Sequence, residues 1–307
     1  GNTDYLYIKT GSTFEDVYST LKSEKMLNDP ESFLYAAENM EYKSKIKPGR
    51  YRLEKGMGNR ALINMLKAGN QEPVKIAFQN VRLKHTLAGM VSKKLETDSA
   101  SISALLDSAE FVQKYGFNTE NVFTMFIPNS YELYWNSSAE KFFERMHAEY
   151  LKFWTEERKV KAAKINLSQA EVSILASIVD GEALNDNEMP RIAGLYMNRL
   201  NKGMKLEADP TVIFANNDFT IRRVLNKHLR INSPYNTYLN KGLPPGPISM
   251  PSMNAIDAVL NFEKHNYIYM CAKEDFSGYH NYASTLSEHL VNARKFQQAL
   301  NERNIKK

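Results

Sequence analysis

The chain has 307 residues, 43% hydrophobic and 24% charged, with a formal net charge of +5. That is an ordinary globular composition, long enough for two cored domains, and it excludes a disordered or fibrous chain. A single cysteine, Cys271, rules out an intrachain disulfide, and without a long Lys/Arg run nucleic-acid binding has no support.

From Asp4 to about Phe78 the pattern predicts a small α+β unit. Tyr5–Lys9 alternates like a strand, and Thr13 caps a helix running to about Glu24. Pro30 starts a second helix to Met40, Arg50–Leu53 is a short strand, Asn59 caps a third helix, and Val74–Phe78 is a closing strand. Nothing in this stretch groups catalytic residue types, so it reads as a binding or spacer module.

From Leu87 the pattern turns helical. The aromatic run Phe126–Trp135 (FIPNSYELYW) is either a stacking wall for sugar rings or core packing between two helices. Ala139–Lys164 reads as one long amphipathic helix. The spacing of Ser168 and Glu171 is that of a capping box, so a helix begins there and runs through an apolar stretch. Leu175, Ile178, Val179 and Glu182 fall on one face of it, while Asp180 points about 200° away from Glu182. A carboxylate ending an apolar stripe is either a proton donor raised by burial or simply a solvated helix end. The pattern alone leaves both open.

A second helix, Pro190–Leu200, offers Ile192, Leu195, Tyr196 and Arg199 on one side. Asp209, just before Pro210, is expected in extended backbone. Ser233–Tyr238 and Gly242–Pro251 read as turn-rich loops bordering a cleft, and the basic residues of Ile221–Arg230 are interrupted by apolar ones. Asn254 is expected to cap a helix through Leu260, Asn266–Ala272 to form a buried strand holding an inert Cys271 thiol, Phe276–Tyr282 a loop, and Ser287–Asn301 a closing helix.

None of the histidines has the spacing of a compact metal site, and His280, His289 and Glu288 are the weak exception. Serine-nucleophile, P-loop and dinucleotide motifs are missing, so neither metal nor cofactor is expected. Carboxylate acid/base chemistry on a polymer remains, with Asp180, Asp186, Glu188 and Asp209 beside Glu182 as candidates.

Several ordered motifs now converge: LASIVDGEA at Leu175–Ala183, PRIAGLYMNRL at Pro190–Leu200, ADPTV at Ala208–Val212, SPYNTY at Ser233–Tyr238, GLPPGPI at Gly242–Ile248 and FSGYHNYASTLSEH at Phe276–His289. Over essentially its whole length the chain resembles the MltG-type (YceG-like) endolytic murein transglycosylases. The resemblance implies an α+β fold, with a LysM-like subdomain over residues 1–80 and a catalytic domain over residues 81–307. It implies a non-hydrolytic cut of the MurNAc–GlcNAc bond that leaves a 1,6-anhydro end, with Glu182 as the catalytic acid. Where the family's motif has a first acid this chain has Asp180, and where it has a threonine this chain has Ala183. Tyr235, Asn236, Asn198 and Asp209 follow as candidates for holding glycan or orienting Glu182. The implied partners are peptidoglycan strands and the synthases that make them. The implied setting is the inner (plasma) membrane, through a single-pass anchor ahead of a trimmed start at Gly1, with the catalytic part facing the periplasm.

Overall fold

The computed structural model describes residues 4–303, and the start at Gly1 lies outside them. The chain forms two compact units and enters each more than once. The first takes the chain up to Ala77, His85–Leu105 and Ser130–Glu144; the second takes Phe78–Lys84, Leu106–Asn129 and the chain from Arg145 on. The architecture is mixed α+β, with three two-stranded antiparallel sheets among the described residues.

In the first unit β1 (Asp4–Ile8) and β2 (Gly49–Leu53) pair with Leu6 opposite Tyr51. Between them run α1 (Phe14–Ser23), opened by a Thr13/Asp16 capping box, and α2 (Pro30–Asn39), capped by Asp29. Leu6, Ile8, Phe14, Phe33, Tyr51 and Leu66 form the core. α3 (Asn59–Ala68) follows, with Gly58 and not Asn59 at its cap; it ends on Gly69 at φ 76°, a left-handed turn suited to glycine. β3 (Val74–Ala77) does not close the first sheet as expected. After α4 (Lys84–Ser92) and α5 (Ser99–Asp107) the chain returns with β4 (Ser130–Leu133), and β3 pairs with that strand. The aromatic run is therefore partly a strand and largely core: Phe126 and Tyr131 are buried in their respective units, and Trp135 packs edge-on to Tyr7.

The second unit holds α6 (Ala109–Gln113), most of α7 (Ala139–Phe153) and α8 (Glu156–Lys164). The single helix expected over residues 139–164 is broken because Trp154 turns into the core and Thr155, in extended backbone, caps α8 through the N–H of Arg158. α9 (Gln169–Glu182) begins at the predicted Ser168/Glu171 box and is sheathed by α10 (Met189–Asn201), α11 (Asp209–Ala215) and α12 (Met253–Leu260). Leu175, Ile178 and Val179 are fully buried, each contributing about 2 kcal/mol of transfer free energy.

Four expectations change here. Ser252, not Asn254, caps α12, its hydroxyl accepting from Ala255 N–H. β5 (Tyr269–Ala272) is half-buried, since α13 (Leu286–Glu302) packs against it and leaves part of it open. The expected loop 276–282 ends in β6 (His280–Ala283), which pairs with β5. Asp209 is the first residue of α11, with Pro210 in its first turn, and the extended residue is Ala208.

Gly194 fixes how closely α10 lies on the following chain. A Cβ there would come 2.2 Å from the Glu263 carbonyl oxygen and 2.8 Å from the His265 ring. Helix propensity favours alanine by about 1 kcal/mol, but overpacking costs about 3. Gly194→Ala is therefore expected to destabilise by about 2 kcal/mol, seen as a melting temperature about 5 °C lower; an unchanged one would refute the close packing.

Candidate active site

α9 stops at Glu182, where Ala183 turns into extended backbone, so the acid stands at a helix end with its apolar face behind it. The Tyr196 hydroxyl, one α10 face away, donates to Glu182 Oε1 at 2.9 Å. The backbone N–H of Asp209 also donates to this carboxyl; it is one of the first-turn N–H groups of α11 that have no partner within the helix. The Asp209 carboxylate accepts from the Tyr238 hydroxyl at 2.7 Å. These four residues line a cavity of about 500 Å³ together with Arg199, Glu207, Cys271, His280 and His289.

Burial, and then the negative charge of Asp209, push the Glu182 carboxyl up to about 7; the two donors only partly oppose this. Burial also raises Asp209, with the Tyr238 bond opposing it. The Tyr196 and Tyr238 hydroxyls are raised as well, mainly by burial, and so stay protonated as donors. Glu182 is thus a partly buried acid able to hold its proton near neutrality and to take one back.

Buried polar contacts fix other parts of the lining. Buried Glu188 receives the His280 backbone N–H on one oxygen at 2.8 Å and pairs with His280 Nδ1 on the other at 2.9 Å. Buried Arg199 donates to the carbonyls of Lys205 and Ile268 and to the Glu207 carboxylate, pinning the chain just before Asp209. His289 stacks on Tyr269, and burial and Arg199 lower its basicity. Glu288 caps α13 from within its box with Thr285. No group of three or more His, Cys, Asp or Glu side chains among the described residues is arranged to hold a metal ion. Cys271 is half-buried, and burial raises its thiol, which keeps it in the unreactive form.

Of the residues singled out in the sequence, Glu182 and Asp209 meet in the cavity. Asp180 does not; its carboxylate accepts from the N–H and hydroxyl of Ser252 and anchors the start of α12. Asp186 holds the Asn254 amide. Asn198 is spent on the carbonyls of His265 and Tyr267, which tethers the chain leading to β5. Asn236 is fully buried, its amide on the carbonyls of Leu229 and Ile231 and its oxygen on the N–H of Tyr238. Tyr235 packs on Phe214, ring centres 4.8 Å apart, outside this cavity. Tyr196 and Tyr238 were missed as partners of the acids. Tyr196 carries a signal, since it shares a helix face with buried Ile192 and Leu195, where a hydroxyl needs an acceptor.

The sequence model of the YceG-like family matches residues 6–295. A Bacillus subtilis (strain 168) protein named endolytic murein transglycosylase is 30% identical over 96% of this chain and 85% of its own length. A Streptococcus pneumoniae serotype 2 protein of the same name is 26% identical over 86% of this chain, which spans 53% of that relative. A crystal structure of a Listeria monocytogenes protein described as yceG-like superposes with a TM-score of 0.62 at 25% identity, covering 94% of this chain and 98% of that one.

Proposed function

The chain belongs to the YceG-like family, and from that premise we propose that it is an endolytic peptidoglycan lytic transglycosylase. It cuts the β-1,4 bond between MurNAc and GlcNAc within nascent strands, leaves a 1,6-anhydro-MurNAc end, and so terminates strand elongation. The observation that carries this reading is Glu182, a proton donor raised to about 7 and held by the neutral donors Tyr196 and the Asp209 N–H.

In the proposed reaction Glu182 gives its proton to the glycosidic oxygen, and the bond to C1 of MurNAc breaks. The resulting carboxylate then takes the proton of the C6 hydroxyl as that oxygen attacks C1, which closes the anhydro ring and restores the acid. Asp209, fixed by Tyr238, supplies negative charge beside the oxocarbenium-like centre. Asn236 and Asn198 act behind them, the first holding the backbone of Tyr238 and the second the approach to β5. Tyr235 contributes from a neighbouring aromatic surface. The part proposed as LysM-like and in contact with peptidoglycan is residues 1–80, whose described elements begin in the order β1–α1–α2–β2. Synthases of nascent glycan are the proposed partners, and the outer face of the plasma membrane the proposed place. No helix among the described residues is long and apolar enough to cross a membrane, so an anchor would lie outside them.

A muramidase hydrolase is the second reading, favoured by one observation: Asp209 lies close enough to Glu182 to raise it, as a second carboxylate would. Mass spectrometry of products from uncrosslinked strands separates the two. Anhydro ends are expected; products heavier by one water would establish hydrolysis. Because the acid must start protonated, kcat/KM is expected to fall above about pH 7, and Asp209→Asn, by removing a negative neighbour, to move that fall to lower pH. A limb unmoved in Asp209→Asn would break the link between the two carboxyls.

A further inference from the structure

A second concavity of about 440 Å³ lies in the same unit and shares the end of α9 with the first. Asp180, Gly181 and Leu184 line it. At about 100° per residue Asp180, with Ser177 of the same lining, falls on the helix face turned away from Glu182, and Leu184 follows just past the helix end, so α9 terminates between the two cavities. Pro210, next to Asp209, completes this wall, close enough that a Cβ on Gly181 would sit 2.9 Å from the proline ring.

The other side is chemically different. Phe214 and Phe219 present half-buried rings with centres 6.5 Å apart. The Arg82 guanidinium lies 4.9 Å from the centre of the Phe219 ring. Arg82 is exposed and has no hydrogen bond or ion pair with the protein among the described residues, and the same holds for Arg222 and Arg223 just beyond Phe219. The acids nearby are already engaged, Asp180 by Ser252 and Asp218 by Thr220. Aromatic faces that accept a sugar ring, beside a planar cation that rests on one of them with its N–H donors unused, suit a sugar bearing a carboxylate.

An endolytic cut needs glycan on both sides of the scissile bond, and the cavity of Glu182 accounts for one side. We propose that the cavity of Arg82, Phe214 and Phe219 is a glycan subsite across the end of α9 from Glu182. It takes a muramyl residue, and Arg82 grips a carboxylate on that residue's O3 substituent.

This inference rests on the proposed reaction, and the two fail differently. Three substrates test it: strands whose peptides carry free carboxyls, the same strands with those carboxyls converted to methylamides, and strands stripped of peptide so that the lactyl carboxyl is free. Wild-type KM is expected to rise about tenfold from the first to the second with kcat unchanged, while Arg82→Ala shows the raised KM on both. Arg82 is exposed, so its removal leaves the fold intact. Stripped strands behaving like the first substrate would put the lactyl carboxylate on Arg82; behaving like the second, they would put a peptide carboxylate there. Either result supports the subsite. An equal loss on all three substrates in Arg82→Ala, or no loss at all, overturns it. Absence of cleavage by the wild type would overturn the reaction instead, and retention of the same three strands by wild type and Arg82→Ala then decides the subsite.

Discussion

Glu182→Gln is expected to lower kcat/KM on glycan strands by about a thousandfold or more, and at the same time to make the protein more stable above pH 7. The first effect follows because glutamine keeps the shape and the acceptor for Tyr196 but carries no transferable proton. The second follows from linkage. The folded protein raises this carboxyl from 4.5 to about 7, so it binds the proton more tightly than the unfolded chain does. The group's favourable contribution is complete below about pH 4.5 and is lost as pH climbs through 7. Above that, the wild type carries a buried charge worth about 2 kcal/mol of destabilisation, after allowing for the Asp209 N–H left facing an amide. Melting curves of the two proteins should coincide near pH 4 and separate by several degrees at pH 8. Parallel curves at every pH would show that burial does not set this carboxyl, and full activity in the variant would remove Glu182 from the chemistry.

Glu188→Ala is expected to cost about 3 kcal/mol, because the His280 backbone N–H and ring nitrogen lose a buried charged acceptor together. The melting temperature should drop by about 8 °C. Glu188→Gln, which can still accept from the backbone N–H, should lose about half as much. Since His280 lines the cavity of Glu182, activity should fall in Glu188→Ala even at temperatures where the protein stays folded. A Glu188→Ala protein as stable as the wild type would mean that pairing with β5 and packing on α13 are enough to hold β6.

The helix of Glu182 was legible because its signals are local: a capping box, then an apolar stripe, then an acid at the right angular position. The break at Trp154–Thr155 was not, because both halves of the segment are amphipathic and only the burial of Trp154 decides where the chain bends. The pairing of β3 with β4 is a contact across more than fifty residues, and no periodicity within either strand encodes its partner. At the site, acids of one residue type took different tasks. Asp180 and Glu182 are two positions apart, yet one holds the capping serine of a neighbouring helix and the other faces a cavity. Helical phase separated them in the sequence, but it could not name Ser252 as the partner of the first. Asn198, on the second helix, and Asn236, in a turn-rich loop, stood in the motifs of the resemblance as candidates for holding glycan or orienting Glu182. The structure spends their amides on carbonyls, a use that sequence does not distinguish from holding a sugar.

The proton of Glu182 is set first by burial and then by a neighbouring carboxylate, with a hydroxyl and a backbone N–H opposing them; none is a cation. Ions in solution weaken exposed charge pairs over a Debye length of about 8 Å at physiological strength, but they have little purchase on hydrogen bonds and burial. The share of the shift that burial supplies is therefore insulated from ionic strength, while the share due to the Asp209 charge weakens as salt rises. An acid raised mainly by burial would keep most of its hold on the proton in dilute and concentrated salt alike.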